Sequence, residues 1–465
     1  MHRNWCKAHP TNDEVKMKRE CEYKGNRKLN RESKHNDVRE RLQQQHVPTA
    51  GDQSVLVEHL RRLVEYSQQN RQDAFSESLV TVRDLLAEEN VSANLDRIAA
   101  TMACRDALQL ITACLSERER RSLQEDAVWI ITNLARGPSE YVRVLVMQYA
   151  VVAHLLAILS DGASPFTLLD HVLGALSNVA ADRDEYRRAL LEPSCGLVAM
   201  LTAVVDRMQS DDDQSQSESY LSIADQMVHM IGILIQDSAR DDDDMALLAL
   251  ACRLVTHASV MPDTYLEVCL CFERKLATAP SGPFIDWFVT LNFLNTVIDM
   301  LATPCSTYTL KTCLRILANL SRATPQQSKA CLEAHPTLAP RLTRLASSAN
   351  VDAICRKLAC FIIGNMVGDT EYNVHAFTCA GVVDLVRTVL TNDTLAVKCE
   401  VVHIACNLLR ALTRIESFAQ HCSPQRNELA CIMAGYMKHL ESGTPKDEQH
   451  IRYVVDTGIT KFIWF

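Results

Sequence analysis

Glycine and proline are scarce, 14 residues each in a chain of 465, and aromatic residues contribute only 6%. Sandwiches and barrels spend turn-formers at every strand junction. This composition therefore argues against an all-β fold and for a chain that is nearly all helix. Long apolar runs are missing as well. The most apolar segment, Val144 to Leu159, contains Gln148 and His154 and is short for a membrane span, so it predicts a buried helix. Met1 to Glu20 is polar and has nothing like the apolar centre of a signal peptide. The 18 cysteines lack the spacing of a disulfide framework, and Cys313, Cys360 and Cys406 fall inside apolar helical runs. Together these features predict buried thiols in a reducing, intracellular compartment.

Catalytic signals are equally sparse. Cys269-Leu-Cys271 has no second Cys or His pair at zinc-like spacing, no Walker-type glycine loop occurs, and the 15 histidines are dispersed. The expectation is a protein with no catalytic centre, metal or cofactor.

Charge is unevenly spread. Residues 1–46 hold 12 Lys/Arg against 7 Asp/Glu, and since the whole chain carries −9, residues 47–465 carry −14. A basic arm precedes an acidic body, which argues against nucleic acid as a partner, because phosphate binding needs a positive body. The expected organisation is an arm over 1–50, a helical array over 51–422 and a C-terminal helical cap over 423–465. Within the array, Leu79, Val82, Leu85 and Leu86 fit one helix face. Ser210 to Ser219 reads as an acidic surface loop, and Asp241 to Asp244 as a second loop or a helix start.

What the chain does have is a repeat. Trp129-Ile-Ile-Thr-Asn133-Leu recurs as Gly174-Ala-Leu-Ser-Asn178-Val, Arg315-Ile-Leu-Ala-Asn319-Leu, Phe361-Ile-Ile-Gly-Asn365-Met and His403-Ile-Ala-Cys-Asn407-Leu. The asparagines are 45, 141, 46 and 42 residues apart, and 141 is three times 47, which leaves room for two degenerate repeats. A helical period of about 42–47 residues is the armadillo/HEAT signature. The expected fold is all-α, an armadillo-repeat right-handed superhelical solenoid in which the third helix of each repeat lines a concave groove. The fourth repeat should fall near Met227 to Leu234, without an asparagine and with Met230 at the tryptophan position.

Residues i and i+4 share a helix face, so Trp129/Asn133 and its successors form two parallel ladders. An asparagine amide carries donors and acceptors that can clamp the backbone of an extended peptide, each bond contributing about 0.5–1.5 kcal/mol. An indole one turn away forms a slot for a Lys or Arg stem. The competing reading is that a repeated asparagine only bonds the backbone of the neighbouring repeat. Five in register, one of them beside Trp129, favour the peptide clamp.

The segment Gln124 to Gly137 resembles the second armadillo repeat of importin-α, and Leu173 to Asp182, continuing into Glu185-Tyr186-Arg187, resembles the third. The resemblance spans roughly 70–415 and is weak from about 205 to 300. It implies an adaptor of the cytoplasm and nucleus. Such an adaptor binds lysine-rich nuclear localisation signals in its groove and passes cargo to importin-β through a basic N-terminal helix, with an export receptor as a further partner. By that resemblance Trp129, Asn133 and Asn178 match the major site, and Gly137 and Asp182 match the carbonyl and carboxylate that hold the key lysine. Arg315, Asn319, Asn365, Glu400 and Asn407 match the minor site. Gly174, Phe361 and His403 stand where the family has tryptophan, which implies weaker or altered binding of ordinary signals. The arm residues Lys16, Lys18, Arg19, Arg27, Lys28, Arg31, Lys34, Arg39 and Arg41 match the importin-β-binding segment in placement and charge, diluted by Glu20, Glu32, Asp37 and Glu40. The alternatives are an armadillo scaffold for another extended peptide or protein, a membrane-associated armadillo protein without a span, and a regulatory subunit of an enzyme.

Overall fold

The computed structural model describes residues 52–391, apart from 88–90, 211–217, 236–240, 258–261, 279–281 and 304, and beyond them only 404–405, 407–408, 411, 427–432 and 434. The basic arm, Glu400, His403, Cys406 and most of the C-terminal cap lie outside the described residues. Among the described residues the ordered structure is helical, with no strand. They divide into two compact units between Leu110 and Ile111.

The first unit holds α1 (Asp52–Gln68), α2 (Gln72–Leu86), α3 (Val91–Ala103) and the start of α4 (Arg105–Cys114). Leu79, Val82 and Leu86 of α2 are fully buried, as their spacing predicts, and Leu85 is half-buried. The Arg97 guanidinium of α3 donates to the Leu85 carbonyl at 2.8 Å, at the C-terminus of α2 where carbonyls lack intrahelical partners.

The second unit is built on six long helices: α5 (Arg121–Leu134), α8 (Phe166–Asp182), α11 (Glu218–Leu234), α13 (Pro262–Ala277), α16 (Thr307–Leu320) and α19 (Ala353–Met366). Each packs on the next, so they form one continuous layer. Two shorter helices follow most of them: α6 (Ser139–Met147) and α7 (Val151–Leu159), α9 (Asp184–Leu191) and α10 (Leu197–Ser210), α14 (Gly282–Thr290) and α15 (Asn292–Met300), α17 (Pro325–Ala334) and α18 (Leu338–Ser347), α20 (Glu371–Cys379) and α21 (Val382–Thr391). Only α12 (Asp241–His257) stands where a pair is expected, between α11 and α13. The chain is thus an all-α solenoid of armadillo-type, three-helix repeats.

The layer helices are apolar nearly all round because short helices cover them on one side and sister helices flank them. α8 buries Leu168, Leu169, Val172, Leu173, Leu176 and Val179 completely. Burial of each such side chain contributes about 1.5–3 kcal/mol. Four helix starts carry side-chain caps: Ser306 and Asp352 for the layer helices α16 and α19, and Thr324, in a capping box with Gln327, and Thr370 for the short helices α17 and α20.

Two expectations need correction. Val144 to Leu159 is not one helix: α6 and α7 meet at 70°, with Ala150 in the left-handed region at φ 50°. The same turn is made by Gly196 before α10 (φ 68°) and Gly381 before α21 (φ 85°), residues that signal it in the sequence as alanine does not. No single helix among the described residues is long and apolar enough to cross a membrane. The second correction concerns Met230, which is fully buried in the core of α11 and does not occupy the outward tryptophan row. The acidic run Asp241 to Asp244 is a helix start, the first turn of α12, where the helix dipole favours carboxylates. Asp244 is wholly buried there and pairs with Lys275 at 2.5 Å.

Candidate functional site

The asparagines recur on the layer helices, and the amides of Asn178, Asn365 and Asn407 share one job, bonding the end of the preceding layer helix. The Nδ2 of Asn178 donates to the carbonyl of Thr132 at 2.9 Å, in the preceding repeat. Thr132 lies two residues before the end of α5. There the Ile131, Asn133 and Leu134 carbonyls are taken by the turn that follows. Asn178 thus supplies a partner to a carbonyl that a helix C-terminus leaves open. Asn407 does the same for Gly364, two residues before the end of α19, at 2.7 Å. At α16 the bond is relayed, with the Ser321 hydroxyl donating to the Ala318 carbonyl at 2.8 Å and Asn365 Nδ2 donating to that hydroxyl at 3.0 Å. Asn319 reaches Glu273 O at a long 3.4 Å, because α13 runs on to Ala277 and satisfies that carbonyl within its own turns. Asn133, in the first of these repeats, bonds the Trp129 carbonyl of its own helix at 3.1 Å and is nearly buried at 6% exposure.

This bonding pattern fixes the register of the two degenerate repeats. Arg274 Nη1 donates to Gly232 O at 3.3 Å, two residues before the end of α11, so Arg274 holds the asparagine position of α13. The matching position of α11 is then Ile233, which has no amide. One turn earlier come His229 in α11 and Leu270 in α13, where other repeats carry Trp129, Gly174, Arg315 and Phe361. The full series runs 133, 178, 233, 274, 319, 365 and 407.

Each capping amide uses one of its two N–H groups on the preceding repeat. An asparagine amide carries a second N–H and a carbonyl oxygen besides. Asn178, Asn319, Asn365 and Asn407 are half-buried, so a peptide laid on the layer can reach them. The reading of a structural asparagine and that of a peptide clamp are compatible, because an amide has more bonding groups than one capping bond uses.

Asp182 is the last residue of α8, four beyond Asn178. Its Oδ2 accepts from the Ser139 hydroxyl at 3.0 Å and lies 3.4 Å from Arg183 Nε. Ser139 opens α6, two residues after Gly137, so this bond ties the end of α8 to the loop that carries Gly137. A carboxylate at a helix C-terminus faces the negative end of the dipole, which leaves the locus open to a cation. The Trp129 indole is half-buried and meets the His171 ring edge-on, centroids 4.4 Å apart. Gly174 is buried, and the space beside it is occupied by Thr132 and Gln226.

Downstream, Arg315 Nη1 lies 3.8 Å from Glu273 Oε1. Phe361 is 39% exposed, and Tyr308 and Ile354, each seven residues upstream of the tryptophan row, are 44% and 52% exposed. Lys311 bonds Asp352 at 3.2 Å and holds that carboxyl below the ordinary carboxylate range. The buried thiols of Cys269, Cys252 and Cys331 are pushed up by desolvation, Cys331 to about 12, so they are not thiolate nucleophiles.

No protein-family model matches the chain, and no curated protein matches it. Among solved structures, an engineered protein is similar over 86% of this chain and 92% of its own, at 18% identity and a TM-score of 0.55, which shows a shared fold. A designed armadillo repeat protein is similar over 67% of this chain and 99% of its own, at 17% identity and a TM-score of 0.34. A chain from a structure on the phosphorylation-controlled interaction between cadherin and beta-catenin is similar over 79% of this chain and 68% of its own, at 14% identity and 0.49. At those scores the last two add nothing to the assignment.

Proposed function

We propose that the layer of long helices binds an extended peptide, with lysine side chains over α5 and α8, and that the protein serves as an importin-α-like adaptor. The observation that carries this reading is the set of half-buried amides of Asn178, Asn365 and Asn407, each anchored to the preceding repeat by a hydrogen bond. Pre-anchored groups lose little entropy when a peptide binds. The likeness of residues 124–137 and 173–182 to importin-α gives the reading its lysine preference. Asp182, at the negative end of α8, offers that lysine a counter-charge. An incoming ammonium competes there with Arg183, whose side chain is exposed and lies at a long 3.4 Å. The basic arm would then engage importin-β, in the cytoplasm and nucleus, and the role is binding, not catalysis. The scaffold reading is favoured by one observation of its own: the capping bonds explain the asparagine ladder without any peptide.

Titration of a lysine-rich peptide into the full chain separates these readings. Asp182→Lys is expected to weaken binding at least tenfold, about 1.4 kcal/mol, with the loss shrinking as salt rises. The same change at the exposed Asp242, in the first turn of α12, should leave affinity nearly unchanged. Equal losses at both sites would mean that only bulk negative charge attracts the peptide. Deletion of residues 1–46 should abolish capture by importin-β in the adaptor reading, and a chain that never captures it supports the scaffold.

A further inference from the structure

The register fixed by the capping bonds exposes a second row, eight residues before each asparagine position. It reads Glu125, Asp170, Asp225, Leu266, Lys311 and Lys357 along α5, α8, α11, α13, α16 and α19. The sign reverses midway. Three members of the row, Asp170, Asp225 and Lys311, reach the start of the next layer helix. Asp170 accepts from the Ser222 hydroxyl at 3.1 Å, Asp225 from that of Thr264 at 3.3 Å, and Lys311 bonds Asp352 at 3.2 Å. Where the row turns basic the face also turns apolar. Three residues before Lys311 and Lys357 stand Tyr308 and Ile354, 44% and 52% exposed, and four residues after Lys357 stands Phe361 at 39%. Arg315 adds a further cation on α16, shared with Glu273. A second lysine cluster laid over α16 and α19 would meet like charge.

We infer that this face is charge-segregated along its length and takes a partner segment built to match. The segment bears lysine over α5, α8 and α11, and carboxylates with aliphatic or aromatic side chains over α16 and α19. The inference rests on the reading of the layer as a peptide site and adds the chemistry of its second half. Carboxylates would meet Lys311, Lys357 and Arg315, while an apolar side chain would cover Tyr308, Ile354 or Phe361. Neighbouring packed helices lie about 8–10 Å apart, so α8 and α16 are separated by about 24–30 Å. An extended chain rises about 3.3 Å per residue, which puts about seven to nine residues between the two blocks.

Three peptides titrated into the full chain test this. All carry the same lysine block, and at the stated spacing they carry a Gly/Ser extension, an Asp/Glu extension containing Leu and Phe, or a second Lys/Arg cluster. Each is made in both block orders, because a row of amides does not set backbone direction. The acidic-apolar peptide is expected to bind at least tenfold more tightly than the Gly/Ser peptide, and the doubly basic one no more tightly. The gain should vanish in Lys311→Glu/Lys357→Glu while the Gly/Ser peptide binds as before, which also shows that the variant is folded. Lys357→Glu alone, at an exposed residue, should remove part of it. The inference is overturned if the acidic-apolar peptide gains nothing, if the doubly basic one binds more tightly, or if the gain survives charge reversal. Failure of the lysine block alone, with Asp182→Lys silent, would sink the lysine reading. An acidic-apolar block that still binds and still responds to Lys357→Glu would then sustain this inference, and binding of no peptide overturns both.

Discussion

Replacing Asn178 by alanine removes the side chain that donates to the Thr132 carbonyl. That carbonyl sits in the last turn of α5, where no backbone N–H of the following turn reaches it. A hydrogen bond of this kind contributes about 0.5–1.5 kcal/mol net, and stranding a buried acceptor costs about 1–3 kcal/mol. Asn178 is half-buried, so water can partly replace it, and the expected loss is about 1 kcal/mol. Asn178→Asp should cost more, about 2 kcal/mol, because it sets a carboxylate against a carbonyl at the negative end of the α5 dipole. Asn133→Ala is the internal control. Its bond stays within its own helix, to Trp129 O, so it should leave coupling between repeats unchanged. Urea denaturation gives the total loss, but repeat arrays need not unfold in one step. Native-state hydrogen exchange is therefore the better assay, and protection should fall first in α5 and α8. The capping account is refuted if Asn178→Asp is as stable as the parent above pH 5, or if Asn133→Ala loosens the α5–α8 seam as much as Asn178→Ala.

Gly381→Ala should destabilise by about 1 kcal/mol through backbone strain alone. Its φ is 85°, while an added Cβ would meet nothing nearer than Asp384 Oδ2 at 4.0 Å, and thermal denaturation against Gly162→Ala, where the space is open, checks this. His335 is nearly buried between α15 and α17, its ring nitrogens 2.6 Å from Asn295 Oδ1 and 3.4 Å from the Val289 carbonyl. Burial pushes its pKa below the ordinary 6.5, against an opposing pull from the Val289 carbonyl. The unfolded chain then binds the extra proton first, so this group's contribution is present above pH 6.5 and is lost as pH falls from there towards the folded pKa. His335→Gln should flatten that part of the stability-versus-pH curve, measured by urea midpoints between pH 7.5 and 5.

The fold class was legible because the Asn-bearing motif sits in a long apolar helix at a nearly constant interval. It faded where two changes coincide. The acidic stretch around 211–217 lengthens one interval to 55 residues, and α12, a single helix in place of a pair, shortens the next to 41. Their total with the following 45 remains 141, so the sum betrayed two hidden repeats while neither position could be read. Ile233 and Arg274 carry none of the motif, and the bonds from Arg274 to Gly232 and from Asn319 to Glu273 place them. The turn at Ala150 was missed because alanine carries no preference for the left-handed region. The capping role was illegible for a different reason. It depends on where the preceding helix stops, and α5 and α19 stop one residue after the asparagine row, while α8 and α13 run on.

The central claim, that a lysine-bearing peptide lies on the layer helices, is tested most directly by photo-crosslinking. A lysine-rich peptide carrying a photo-reactive group beside its central lysine would be irradiated with the full chain, and the adducts mapped by mass spectrometry. Adducts are expected within residues 135–139 and 178–183, around Gly137, Ser139 and Asp182, and should disappear in Asp182→Lys. Adducts concentrated on the outer helices α17 and α18, or on the acidic residues of 210–219 and 241–244, and unchanged by Asp182→Lys, would contradict it.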